Sequence, residues 1–152
     1  MKSIKELKKL IDKVSSQQLF AVLATSHKNQ PYTSLVAFAI TKDLKKLVFI
    51  TPRDTRKFNY LSENNMVSLM IDNSQNQKMD LSQAVGITIS GKSKDSFGKE
   101  REDLLKIFLL KHPQMDEFAL SKGCSVVSVD ISRYDVVERF QNVSVLEFEE
   151  DS

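Results

Sequence analysis

Three apolar runs in quick succession constrain this chain most: "LFAVLATS" (19–26), "YTSLVAFAIT" (32–41) and "LVFIT" (47–51). Each has the length of a strand and the β-branched and aromatic content that suits a pleated surface. The connections, "HKNQP" (27–31) and "KDLKK" (42–46), are short and mostly polar. A parallel pair needs a crossover of about a dozen residues or more, so strands joined this tightly run antiparallel. The first run is almost unbroken in its apolar character, which predicts a strand covered on both faces.

Ahead of these runs, Ile4, Leu7, Leu10, Ile11 and Val14 recur at helical spacing among lysines and acids. They predict an amphipathic N-terminal helix over residues 1–16, packed on the body of the protein. Its lysines fit a membrane-surface helix or a solvated face, and the solvated face is the simpler account. Beyond the third run, Arg56 to Leu61 begins a short helix that stops near Asn64-Asn65. "MVSLMID" (66–72) then alternates, with Val67, Leu69 and Ile71 on one face, and polar residues 73–83 read as a loop. "AVGITISGK" (84–92) alternates again, Val85, Ile87 and Ile89 inward. "KEREDLLKIFLLKH" (99–112) reads as a helix stopped by Pro113, and "MDEFAL" (115–120) as a shorter one ended by Gly123. "SVVSVDI" (125–131) and "VSVLEFE" (143–149) complete the strands, with "YDVVERF" (134–140) extended between them.

No repeat or linker interrupts this order, and 152 residues is the length of one domain, 1–152. Tightly joined strands with few inserted helices predict a mainly β fold with α: an antiparallel barrel with helices across its ends. A Rossmann sheet is excluded, because strand and helix do not alternate and the four glycines are scattered. With 22 basic and 20 acidic residues, the formal charge of +2 gives no electrostatic ground for a nucleic-acid partner. The single cysteine, Cys124, excludes an intrachain disulfide and leaves no cysteine cluster for a metal. The N-terminus lacks a signal peptide's apolar core, and no run approaches the roughly 18–20 apolar residues of a membrane span. The expectation is a soluble, cytoplasmic domain without a membrane partner.

Between the third run and the next helix stands "TPRDTRKF" (51–58). A phosphate monoester is best held by hydroxyls, cationic groups and the free N–H groups of a helix N-terminus. Thr55 occupies the N-cap position, directly ahead of Arg56 and Lys57. Two cations at a helix N-terminus oppose the macrodipole, and a bound anion would offset that. On spacing alone, a capping threonine followed by a solvated basic pair accounts for the same residues.

The stretch resembles the flavin-phosphate corner of the pyridoxamine 5'-phosphate oxidase-like family of FMN-binding split barrels. There, a strand ending in an apolar residue and threonine leads through a short turn to Ser/Thr-Arg-Lys opening a helix. Here the series is Phe49-Ile50-Thr51, Pro52-Arg53-Asp54 and Thr55-Arg56-Lys57. "LATSHKNQPYTSLVAF" resembles the family's first hairpin, Asn64-Asn65 its helix end, and the order of later elements agrees from about Leu19 to Phe148.

The resemblance implies an antiparallel split β-barrel, the FMN-binding split barrel, with flanking helices. It implies an FMN-binding flavoprotein with oxidoreductase activity; the alternative is a non-catalytic flavin, deazaflavin (F420) or heme-binding module. Arg56 and Lys57 would neutralise the FMN phosphate, Thr51 and Thr55 would donate hydroxyl hydrogen bonds, and Thr33 and Ser34 would add polar contacts. As strand hydroxyls, Thr33 and Ser34 need no ligand. The resemblance further implies a homodimer with the flavin at the two-fold interface and a small-molecule electron donor or acceptor. Ser74, Gln75 and Asn76 are candidates to complete the partner's site.

The sequence departs from the true pyridoxamine phosphate oxidases. Ser34 stands where they carry an arginine, Ala39 where they carry a lysine, and Arg139-Phe140-Gln141 replaces their C-terminal Arg-X-His motif. What remains resembles the shorter flavin-reductase-like and heme-utilisation-like branches. His27 and His112 could serve as heme ligand or acid, although each reads first as a surface or capping histidine. Cys124 reads as a small buried residue. Tyr32, Tyr60 and Tyr134 read as packing residues that could also stack on a ring, and Met66 and Met70 as strand packing.

Overall fold

The computed structural model describes residues 2–139 and 141–149. Met1, Phe140 and residues 150–152 lie outside the described residues, so the first helix and the extended run ending at 140 are followed only to those limits. Helix α1 (Ile4–Gln17) is capped by Ser3, whose Oγ accepts from the Glu6 N–H. Strands β1 (Phe20–His27), β2 (Gln30–Ile40) and β3 (Lys46–Pro52) follow, antiparallel as their turns require. The first hairpin closes through Lys28 and Asn29, both at positive φ, in the two-residue geometry that matches strand twist.

Helix α2 (Arg56–Glu63) leads to β4 (Met66–Asp72), which pairs with the other edge of β1. Then come α3 (Asp80–Gln83), β5 (Val85–Asp95), α4 (Gly98–Lys111), a 3-10 turn, α5 (Asp116–Leu120), β6 (Cys124–Glu138) and β7 (Asn142–Glu147). The sheet order is β3-β2-β1-β4-β5-β6-β7, and β6 also pairs with β3. Six antiparallel strands thereby close a barrel, with β7 as a further strand and the helices on its flanks. The closure has a parting. β2 and β3 pair only from Phe38↔Phe49 to Ile40↔Leu47, whereas β3 continues on β6 as far as Pro52↔Cys124.

Period-2 alternation fills the barrel: Leu23, Phe38, Leu47, Phe49, Leu69, Ile87, Ile89 and Val129 are each at most 1% exposed. α1 adds Leu7, Ile11 and Val14 to this core. A second layer lies outside the sheet, where Leu104 and Phe108 of α4 cover Ala39, Val48, Ile50 and Val126. α4 is braced on α1 by Lys111, whose Nζ donates to Ser15 O at 2.8 Å and lies 3.8 Å from the Phe38 ring centroid. Burial pulls the Lys111 ammonium down to about 8.

"SVVSVDI" and the part of the later run from Tyr134 to Glu138 belong to one 15-residue strand, β6 (Cys124–Glu138). The pairing with β5 shifts between Ser90 and Gly91: Ser90 faces Arg133 but Gly91 faces Ile131, leaving Ser132 as the extra residue. The inward face therefore passes from Val127, Val129 and Ile131 to Tyr134 and Val136. A bulge that changes parity looks, in sequence, like the end of a strand.

Other expectations are corrected. β1 is covered on one face only: Phe20 (53%) and Val22 (43%) are exposed, whereas α4 covers the β2–β3–β6 side. Met66 and Met70 lie on the same open face rather than in strand packing. Residues 73–83 contain the one-turn α3, tied down by Asp80 Oδ2 accepting from the N–H groups of Gln75 and Gln77. His112 is the C-cap of α4, as its place before Pro113 implies, but it is buried rather than superficial. It follows Leu104 and Phe108 at intervals of four, so its ring continues the buried stripe, with Nε2 2.8 Å from Phe38 O. Tyr134 is buried and donates its hydroxyl to Leu44 O, and burial raises its pKa. Cys124 is buried, as its sequence context implies.

Candidate functional site

The corner from Thr51 to Lys57 lies where β3 leaves the barrel, at the parting from β2. Thr55 caps α2, its Oγ1 accepting from the Phe58 N–H at 3.3 Å. Thr51 is fully buried, with Oγ1 3.1 Å from Thr55 Oγ1 and 3.2 Å from Pro52 O. Thr55 Oγ1 also donates to Pro52 O at 2.9 Å. A hydroxyl has one proton to give. Both threonine protons are committed within this knot, so the pair fixes the turn, and donation to an outside anion would require rearrangement.

The cations divide unequally. Arg53 donates to Cys124 O at 2.9 Å and pairs with Asp95 at 3.2 Å, while Ser125 donates to the same carboxylate at 2.5 Å. Arg53 therefore fastens the turn to β5 and β6. Nothing local in the sequence marks this role, since Asp95 and Ser125 are remote. Arg56 is exposed and Lys57 half-buried, and among the described residues neither makes an ion pair or side-chain hydrogen bond. Their own N–H groups stand in the first helical turn, where intrahelical acceptors are lacking.

β2 supplies the neighbouring wall. Tyr32 packs under Arg56, the guanidinium 5.3 Å from the ring centroid. Ser34 shares the face of Tyr32, and its Oγ is buried without a hydrogen-bond partner among the described residues. Thr33 lies on the opposite, exposed face of β2. The structure thus gathers Thr51, Thr55, Arg56 and Lys57 at one turn, with the Tyr32–Ser34 face beside it, and turns Thr33 away. Ser74, Gln75 and Asn76 are exposed; the Ser74 Oγ and N–H both bond Asp72. Tyr32, Tyr60 and His27, which sequence reasoning leaves as packing or surface groups, form a cluster here. Tyr60 contacts Tyr32 edge-on at 5.7 Å and His27 at 5.1 Å, and His27 Nδ1 pairs with Glu63.

A wide depression of about 870 Å³ lies elsewhere, lined in part by Ser68, Ser90, Lys92, Asp130, Ser132 and Phe148, and includes none of the corner residues. It is open, and its Asp130 is already within 4 Å of Lys46 and Lys94. The corner is the better candidate because Arg56 and Lys57 have no ion pair, and the nearby Ser34 Oγ no hydrogen-bond partner, among the described residues. Among the described residues, no group of three or more His, Cys, Asp or Glu side chains is placed to hold a metal ion, and no helix is long and apolar enough to cross a membrane.

Residues 5–118 match the family model of pyridoxamine 5'-phosphate oxidase. The chain belongs to this family. Among solved structures, a heme-binding protein from Mycobacterium smegmatis is similar at TM-score 0.81 and 15% identity, over 97% of this chain and 59% of that one. ChuZ from Campylobacter jejuni aligns at TM-score 0.79 and 12% identity, over 97% and 61%. General stress protein 26 from Bacillus anthracis aligns at TM-score 0.69 and 14% identity, over 93% and 98%. At such identities the likeness shows the shared split-barrel fold. The chain spans about three fifths of the length of the first two proteins. Among curated proteins none matches the sequence. The Ser34 hydroxyl has no hydrogen-bond partner among the described residues, and Ala39 is buried beneath α4, where it offers no group to a ligand.

Proposed function

We propose that the chain is an FMN-binding member of the family, acting as a flavin-dependent oxidoreductase on a small-molecule electron donor or acceptor. One observation carries the reading: at the parting of β2 and β3, a buried Ser34 hydroxyl without a partner among the described residues shares the β2 face with Tyr32, over whose ring the Arg56 guanidinium lies, and Lys57 follows Arg56 at the start of α2. Buried hydroxyls are rarely left unpaired, and each such orphan calls for an explanation. A phosphate supplies several acceptors and the opposite charge. Arg56, Lys57, their backbone N–H groups and Ser34 would hold it, while the Thr51–Thr55 knot sets the turn. Bound FMN would supply the electron-transfer chemistry; the chain positions it and keeps its phosphate neutralised. Substrates other than pyridoxamine phosphate fit best, since the arginine and lysine of the true oxidases are replaced.

Heme and F420 are the alternatives. The heme-binding neighbour favours heme at the level of fold, but an axial histidine here would have to leave existing contacts, Phe38 O for His112 and Glu63 for His27. An absorption spectrum after adding FMN and desalting tests the reading. Retained bands near about 370 and 450 nm support it, because the ring itself is the chromophore. A Soret band in protein as isolated, with all added FMN released, would overturn it.

The open face of the sheet supports a homodimer. Leu35 (64% exposed), Val22 (43%) and Met70 (49%) align across three strands through the Val22↔Leu35 and Val22↔Met70 pairs. With Phe20 and Met66 they form a contiguous apolar surface of the kind that marks an interface. A second copy seated there gives β1 the two-sided cover that its apolar run implies. Val22→Glu with Met70→Glu is expected to halve the mass measured by light scattering while preserving the circular dichroism spectrum. An unchanged mass would place any interface elsewhere.

A further inference from the structure

Arg56 is held in place, and the residues that hold it form a continuous stack. Its guanidinium lies 5.3 Å from the Tyr32 ring centroid, within the range of cation–π attraction. Tyr60 meets Tyr32 edge-on, its ring at 69° and 5.7 Å. The His27 ring lies 5.1 Å from Tyr60, and its Nδ1 is tied to the Glu63 carboxylate one turn further along α2. The stack thus begins and ends on α2 and passes through β1 and β2. The Tyr32 hydroxyl makes no hydrogen bond among the described residues, so the contribution of Tyr32 comes from its ring face.

We propose that Tyr32 is a positioning residue for anion binding: its ring, buttressed by Tyr60 and the His27–Glu63 pair, holds the Arg56 guanidinium ready for the ligand's phosphate. This rests on the flavin reading above. An exposed arginine on a flexible stem loses rotamer freedom when it binds, and a preformed seat removes part of that cost before the ligand arrives. Tyr32 acts through Arg56 alone. Its loss therefore affects ligands that carry a phosphate and spares those that do not.

The test is a set of fluorescence titrations with FMN and with riboflavin, which lacks the phosphate, on wild type, Tyr32→Phe, Tyr32→Leu, Arg56→Ala and the Tyr32→Leu/Arg56→Ala double variant. Thermal melts establish that each is folded. Tyr32→Leu is expected to weaken FMN binding about 3- to 30-fold, the scale of a lost cation–π contact, and to leave riboflavin binding unchanged. Tyr32→Phe should match wild type, and the double variant should bind FMN no worse than Arg56→Ala. Equal losses for FMN and riboflavin, or losses that add in the double variant, would overturn the positioning role and leave the flavin site standing. If Arg56→Ala binds FMN as wild type does, both the phosphate corner and the role of Tyr32 fall.

Discussion

Replacing Arg56 and Lys57 together with alanine is expected to lower FMN affinity by about two to four powers of ten. Each removes a charge-assisted contact worth roughly 1.5–3 kcal/mol, and no other described cation at the turn is free to substitute. Arg53 is committed to Asp95 and Cys124 O. That engagement makes Arg53 the informative control. Arg53→Ala removes the guanidinium that ties the turn to Asp95 and to Cys124 O, and of these two donors to the Asp95 carboxylate leaves Ser125 alone. It should lower thermal stability while FMN affinity, in the folded fraction, changes far less than in the double variant. FMN titration by flavin fluorescence, with a melt on each variant, separates the two effects. A folded Arg56→Ala/Lys57→Ala variant that binds FMN like wild type would show that the corner is an ordinary helix start. Thr51 and Thr55 should behave differently again. Their hydroxyls bond each other and Pro52 O, so their effect on affinity would pass through the geometry of the turn.

Much of this was legible in the chain, and the limits have physical causes. The three first strands, α2 with its Thr55 cap, and the inward faces of β4 and β5 follow from period and turn chemistry, which are local. Contacts made across the barrel are not local. Arg53 looks like its basic neighbours until Asp95 and Ser125 arrive from β5 and β6. The Tyr32–Tyr60–His27 cluster depends on α2 folding back over the first hairpin, and no spacing within either element announces it. The burial of His112 was legible in principle: the adjacent Pro113 rightly marks it as the helix end, and its interval of four from Phe108 continues the buried stripe. β1 shows the converse. An unbroken apolar run records what a strand is suited to touch, and a single chain need not contain both covers. The same sequence therefore reads as buried on two sides, while the fold leaves Phe20 and Val22 open.

Gly91→Ala is expected to be among the most destabilising single substitutions in the barrel. A Cβ built on Gly91 would lie 2.3 Å from Asp130 O and 2.9 Å from Val129 Cγ1. The first of these is backbone in a strand paired on both edges, to β5 and to β3, so it has little freedom to retreat. The clash falls at the bulge, where Ser132 is left over and the inward face of β6 changes parity. Relief therefore means moving β5 away from β6 or losing the register that buries Tyr134 and Val136. Forced overpacking typically costs about 1–3 kcal/mol, and a clash that only backbone movement can relieve falls at the upper end, about 3 kcal/mol. For a chain of this size that corresponds to a fall in Tm of roughly 6–12 °C. Gly86, on the same strand, provides the comparison. Its Cβ would meet only Met70 Cε at 3.3 Å, the end of a flexible and exposed side chain. Gly86→Ala should leave Tm within about 2 °C, because the neighbour can turn aside. Equal melting temperatures for the two variants would mean that the close approach of β5 to β6 at Gly91 does not bear on stability. A loss confined to Gly91→Ala would identify the bulge as the point where barrel closure depends on the absence of a side chain.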